Sequence, residues 1–301
     1  MKDSFPGYYP LDDEQMKGFL SNSIIVFDVY ALLDLYHIEL GQAKTVLDLL
    51  ERDDIKARLW IPYDVAWLYH LEMNNEILSQ VDNINTALKH LISCKNVVEN
   101  AKSYPFLPVE VKDKLEGVIN DIDQFCATQK QDLVGQLKNS DLKTRLGNLF
   151  HDKMGTPYSD AELDNVYKAG NARFANLIPP GYIPCENTDK RKRYHDLIVW
   201  KQILAYATQK HKDILLVTGR IKQDWYYVVN SEEVVPRQEL INEFMNASGK
   251  RYYSLSLSRF IEKCQTDLGT NIPNYAELIS SLKENIQYAS VQQDLSNDNQ
   301  V

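Results

Sequence analysis

Cysteine is scarce in this chain, and none of its four residues stands in a CxxC pair. Cys94, Cys126, Cys185 and Cys264 are widely spaced, which argues against both a thiolate zinc site and a disulfide framework. Cys94 and Cys126 fall within helical patterns and are expected to be buried apolar filler. No uninterrupted apolar stretch reaches the roughly 18 residues that a membrane-spanning helix needs. The opening MKDSFPGYYPLDDEQMKGFL lacks the basic-then-apolar order of a secretory signal, so a cytoplasmic protein is the expectation. Positive charge is also in deficit. A net charge of -9 weakens any case for broad nonspecific nucleic-acid binding and leaves room for a local basic groove. Low-complexity repeats are absent, and 44% apolar with 25% charged residues excludes the disordered and collagen-like classes.

What is present is an alternation of short β-branched runs and helical patterns. SIIVFDVYALLDLY (23–36) begins with a buried-strand run, Ile24 to Phe27, and then shifts to helical spacing, which puts Asp28 at a strand-to-helix corner. A helix is predicted over 41–51, a strand over Leu59 to Ile61, and a helix from Tyr63. Farther on, DLIVWKQILAYATQKHKDILLVTG reads as a helix over 195–211 feeding a strand over 214–217. A proline-started helix at 236–248 and a last strand and helix in YYSLSLSRFIEKC follow. These units fit a parallel sheet covered by helices. From 74 to 145 the pattern differs, with apolar residues three and four apart for many turns, broken by the prolines of SYPFLPVE. Ser159 and Glu162 have capping-box spacing ahead of a further helix. The predicted division is an α/β core over 1–73 and 181–270, a helical insertion over 74–180, and a C-terminal helix and polar tail over 271–301. The insertion's apolar stripes must pack on the core, on each other, or on a homodimer or other protein partner.

The carboxylates carry the chemistry. Asp28 directly follows a buried strand, where a charge is costly unless it is paired, hydrogen-bonded or holding a metal; an N-cap explains it equally well. Asp196 opens an apolar helix, where the helix dipole favours a negative charge, so capping again suffices. Two such acids in one crevice could hold Mg²⁺, which takes oxygen ligands and would activate water in a nuclease. His195 reads as solvent-facing or structural rather than as a base. The one dense basic run, DKRKRYHD (189–196), is either a solvated loop or a contact for an anionic partner.

The ordered blocks resemble the PIN-like domain family, specifically a bacterial branch with a long helical insertion. They are GYYPLDDEQM (7–16), IIVFDVYALLDLY (24–36), WIPYDVAWLYH (60–70), IPPGYIP (178–184), HDLIVWKQIL (195–204), LLVTGRIKQDWY (215–226), PRQELINEF (236–244) and YYSLSLSRFIE (252–262). The resemblance implies a PIN-like parallel sheet flanked by helices, with acids at its C-terminal edge. It also implies Mg²⁺ or Mn²⁺ binding and cleavage of RNA, or of DNA flap structures, in active members.

Carried over position by position, Asp28 and Asp196 keep two acids of that pattern as metal ligands. Asp28 lacks the polar neighbours of the usual Asp-Thr-Asn corner, since Val29 and Tyr30 follow it. Leu68 stands where a glutamate is expected, and Gly219 with Arg220 where aspartates are common. An arginine at the rim opposes metal binding if it points inward. Asp64, one turn before Leu68, and Asp224, beyond Gly219, are candidate substitutes, each expected as an ordinary surface acid. The expectation is a degenerate nuclease site. Lys190, Arg191, Lys192, Arg193 and Arg220 are the candidate contacts to RNA or DNA, and an active Mg²⁺- or Mn²⁺-dependent nuclease with rearranged acids is the alternative.

Overall fold

The structure is a computed structural model that describes residues 1, 6–9, 11–99, 107–183, 189–229 and 232–284. Cys185, part of the proline-broken segment after 99, and the tail beyond 284 lie outside the described residues.

Two compact units divide the chain, one of residues 1–70 and 145–301, the other of residues 71–144. The first is an α/β unit. Its sheet comprises β1 (Ile24–Phe27), β2 (Leu59–Trp60), β3 (Ile214–Thr218) and β6 (Tyr252–Ser256), in the order β2-β1-β3-β6 and parallel throughout. Ile25, Val26 and Phe27 and all of β3 are buried, as parallel strands covered on both faces require. β4 (Tyr226–Val229) and β5 (Glu232–Pro236) form a separate antiparallel pair. Helices α1 (Asp13–Asn22), α2 (Val29–Leu33), α3 (Leu40–Leu50) and α4 (Asp53–Lys56) precede β2 or flank β1. After them come α5 (Tyr63–Glu99), α6 (Val109–Lys138), α7 (Asp141–Leu149), α8 (Asp160–Ala175), α9 (Lys190–Arg193), α10 (His195–Lys210), α11 (Gln238–Ser248) and α12 (Leu257–Thr266). Residues 275–284 are also helical.

The strand order sets the site. The connection from β1 leads to β2 on one side, while the connection from β3 leads to β6 on the other. A crevice therefore opens between the C-terminal ends of β1 and β3, the switch point where ligands of α/β sheets collect. Asp28 directly follows β1 and Gly219 directly follows β3, whose ends are in register through the pair Phe27 and Val217. The Asp28 N–H donates to the Val217 carbonyl at 2.9 Å, which pins the two strand ends together.

Several local readings change. The helix after β5 begins at Gln238, not at a proline; Pro236 ends β5 and Arg237 precedes the helix. Residues 145–180, assigned above to the insertion, belong to the α/β unit. The reason is side-chain packing. Phe174 stacks on Tyr194 with centroids 5.1 Å apart, and Arg173 forms a bidentate pair with Glu243 at 2.8 Å. The capping box at Ser159 and Glu162 is present at the start of α8.

The second unit consists of residues 71–99 of α5, α6 and the start of α7. Lys95 Nζ lies 2.8 Å from Glu116 and Lys130 Nζ 3.1 Å from Asn85. As numbers fall along α5 they rise along α6, so the two helices run antiparallel. Ile77, Leu88 and Ile119 are buried, while Cys94 is exposed and Cys126 half-buried. The cysteines are therefore not the buried filler expected. Cys94, six residues after Leu88, is turned off the buried face of its helix, whereas Cys126, seven residues after Ile119, shares that residue's face and is only partly covered. Among the described residues no helix is long and apolar enough to cross a membrane.

Candidate functional site

Asp28 sits where its sequence position demands. Its extended backbone lets Oδ1 accept from the Ala31 N–H at 2.7 Å, capping α2, while Gly219 N–H donates to the same oxygen at 3.2 Å. The Thr218 hydroxyl donates to the other oxygen. Both weighed roles thus meet in one residue, because the cap also faces the crevice. Burial, with the charge of Asp196 adding to it, pushes the Asp28 carboxyl up to about 6, although these three donors pull it down.

Asp196 is in the first turn of α10 and lines the same pocket as Asp28, together with Tyr30, His195, Arg220 and Lys222. Its partner is a residue that the sequence reading passed over. Lys222 Nζ lies 2.7 Å from Asp196 Oδ2, and the two side chains are 19% and 18% exposed. Burial opposes both charges. The mutual attraction prevails, holding the Asp196 carboxyl below the usual range and raising Lys222 above that of an ordinary lysine. The Trp225 indole N–H approaches the same oxygen at 3.5 Å. Trp225 also packs edge-on against Trp200 of α10 at 5.9 Å, fastening the 220–225 segment to that helix.

Arg220 does point at the site. Its guanidinium lies 3.7 Å from the Tyr30 ring centroid, with Lys222 Nζ 5.4 Å from the same ring. Gly219 is fixed by crowding. A Cβ there would sit 2.4 Å from the Tyr30 carbonyl carbon, 2.6 Å from its oxygen and 2.3 Å from Asp34 Oδ2. An aspartate at 219 has no room while α2 starts where it does.

The two candidate substitutes are not surface acids. Asp64 is fully buried: Arg191 Nε lies 2.7 Å from Oδ1 and the Gln202 amide 2.9 Å from Oδ2. Asp224 is likewise buried, accepting from the Gly181 N–H at 2.6 Å, while its Oδ1 has no hydrogen-bond partner among the described residues. Burial, with Asp196 nearby, raises the Asp224 carboxyl. Leu68 is a core residue of α5. His195 is buried with Nδ1 unpartnered among the described residues, and burial pushes it down to about 4, so it is neutral near pH 7.

The basic run is helical rather than a loop. Arg191 turns inward to Asp64 and lies 4.3 Å over Trp67, so it is only partly available to a ligand. Lys190 and Arg193 are exposed beside the rings of Tyr167 and Tyr194, at 4.3 and 5.7 Å, and Lys192 is half-buried. Nothing in a single sequence marks Lys222 as special. Asp64 and Asp224 carried one signal, an acid one turn from a vacated position or just past a strand end.

Among the described residues, no three His, Cys, Asp or Glu side chains group as metal ligands. No curated protein and no solved structure matches the chain. The sequence model described as a PIN-like domain matches residues 24–240, a span running from the first residue of β1 into α11 and including every residue of the crevice. With a match over that much of its length, the chain belongs to the PIN-like domain family.

Proposed function

We propose that this protein is a PIN-like domain whose acid site is impaired for metal-dependent hydrolysis and which binds nucleic acid without cutting it. One observation carries the reading: Asp196 shares a half-buried ion pair with Lys222 in the pocket it forms with Asp28. A divalent ion there would have to displace the ammonium and compete with the donors on Asp28, while Arg220 adds like charge. The residues present do not fit Mg²⁺ or Mn²⁺ as they stand. Lys190, Lys192, Arg193 and Arg220 supply cations for phosphates.

Mobility shift of labelled single-stranded RNA and DNA, repeated over a salt series with Mn²⁺ present, tests this. The expected result is an intact strand whose binding weakens with salt. Lys190→Glu and Arg193→Glu should each weaken binding and flatten the salt dependence by about one phosphate contact.

The competing reading, an active Mg²⁺- or Mn²⁺-dependent endoribonuclease or DNA nuclease with rearranged acids, draws on the raised carboxyls of Asp28 and Asp224 around Asp196. Cleavage of the strand in that gel, lost in Asp28→Ala, would establish it instead.

A further inference from the structure

We infer that the Lys222 ammonium is the resident cation of the acid pocket, supplying the positive charge that Asp28 and Asp196 would otherwise draw from a divalent ion, so that removing the amine makes the pocket metal-responsive. This rests on the reading above and adds what holds the site in its present state.

Asp28 and Asp196 bring two negative charges to the pocket when ionised, and Lys222 and Arg220 bring two positive ones. The set is neutral without an ion, and a divalent ion would leave it with an uncompensated excess of positive charge.

Geometry then separates the two cations. Arg220 is stacked over Tyr30, whereas Lys222 is on a carboxylate, with the ring to one side at 5.4 Å. The lysine cannot drift far. Its carbonyl accepts from the N–H groups of Trp225 and Tyr226 at 3.0 and 2.9 Å, and Trp225 is wedged against Trp200. The ammonium is thus a tethered monovalent ion that needs no binding entropy of its own.

Asp28 is held differently, by the Thr218 hydroxyl and two backbone N–H groups. Those donors do not depend on Lys222. Losing the amine would therefore leave Asp28 in place and Asp196 half-buried without its counter-charge, a site that draws a cation.

The test is thermal melting of the full chain with and without millimolar Mn²⁺, at matched ionic strength. Wild type should melt at one temperature in both. Lys222→Met, which keeps the stem and loses only the charge, and Lys222→Ala should melt lower and regain several degrees with Mn²⁺, since an ion bound only by the folded state raises its midpoint. Adding Asp196→Asn to either variant should abolish the response. Melting of both variants that ignores Mn²⁺ would overturn the inference, as would a wild-type response equal to theirs. Should Lys222→Ala not fold, Lys222→Met decides. The nucleic-acid reading fails on the wild-type gel and this inference on the comparison of melting between wild type and variants, so the two failures are distinguishable.

Discussion

The α/β unit and the helical unit use charge in opposite ways. In the α/β unit, whose surface also carries exposed pairs such as Arg52 with Asp54, three aspartates are drawn inside and held there: Asp64 by Arg191 and Gln202, Asp196 by Lys222, Asp224 by the Gly181 backbone. In the helical unit the ion pairs lie outside, as in Lys95 with Glu116, and large apolar side chains such as Ile92, Val118 and Phe125 are exposed. Buried charge is costly unless paired, so it fixes geometry. Exposed charge is screened and fixes little. The difference places positional precision at the strand ends and leaves the helical unit to ordinary helix packing.

The strongest break of that contrast is Arg191→Ala. It leaves the fully buried Asp64 carboxylate without its counter-ion, and chemical denaturation should register a loss of about 3–5 kcal/mol. A loss no larger than that of a surface pair would mean that the interior pair is not structural.

A subtler break concerns pH. Asp28 titrates near 6 when folded against an ordinary 3.8, so it binds its proton more tightly in the fold and stability falls as pH rises from about 4 to about 6. His195 runs the other way. With a folded value of about 4 against 6.5, it resists protonation in the fold, and stability falls as pH drops from about 6.5 to about 4. The two trends oppose each other over nearly the same window, each up to roughly 3 kcal/mol. Relative to wild type, Asp28→Asn should therefore lose stability on acidification in that window, and His195→Gln should lose it on raising the pH. Parallel pH profiles for all three proteins would contradict the assignment.

How much of this the sequence disclosed depends on how far each signal reaches. β1, β3, the Asp28 corner and the capping box at Ser159 were readable because each rests on a few adjacent residues and a change of period. The burial of Asp64 was not, since its partner Arg191 is 127 residues away, and neither was that of Asp224, whose donor Gly181 is 43 away. Lys222 was hidden for a related reason. Its place depends on how the segment after β3 turns and on Trp225 meeting Trp200. The β4–β5 pair did leave a local trace, since YYVV and EEVV flank Asn-Ser as two strand-like runs around a turn. The helical boundary near residue 71 was readable at 73/74 from the change in apolar spacing, although α5 runs through it without a break.

Gly219→Ala is a smaller and more local test. A methyl overlapping the Tyr30 carbonyl should cost roughly 1–3 kcal/mol unless α2 shifts, which equilibrium denaturation would measure. A neutral result would show that position 219 has room for a side chain after all. The smallest effect is expected in the other unit, where Lys95→Ala should leave the midpoint unchanged within error. A clear loss there would erase the distinction between the two units.

Calorimetric titration of Mn²⁺ into the wild-type chain, beside Asp28→Ala, bears most directly on the claim that the acid pocket is neutralised from within. The expected outcome is no saturable micromolar site in either protein. A micromolar site in the wild type that disappears in Asp28→Ala would contradict it.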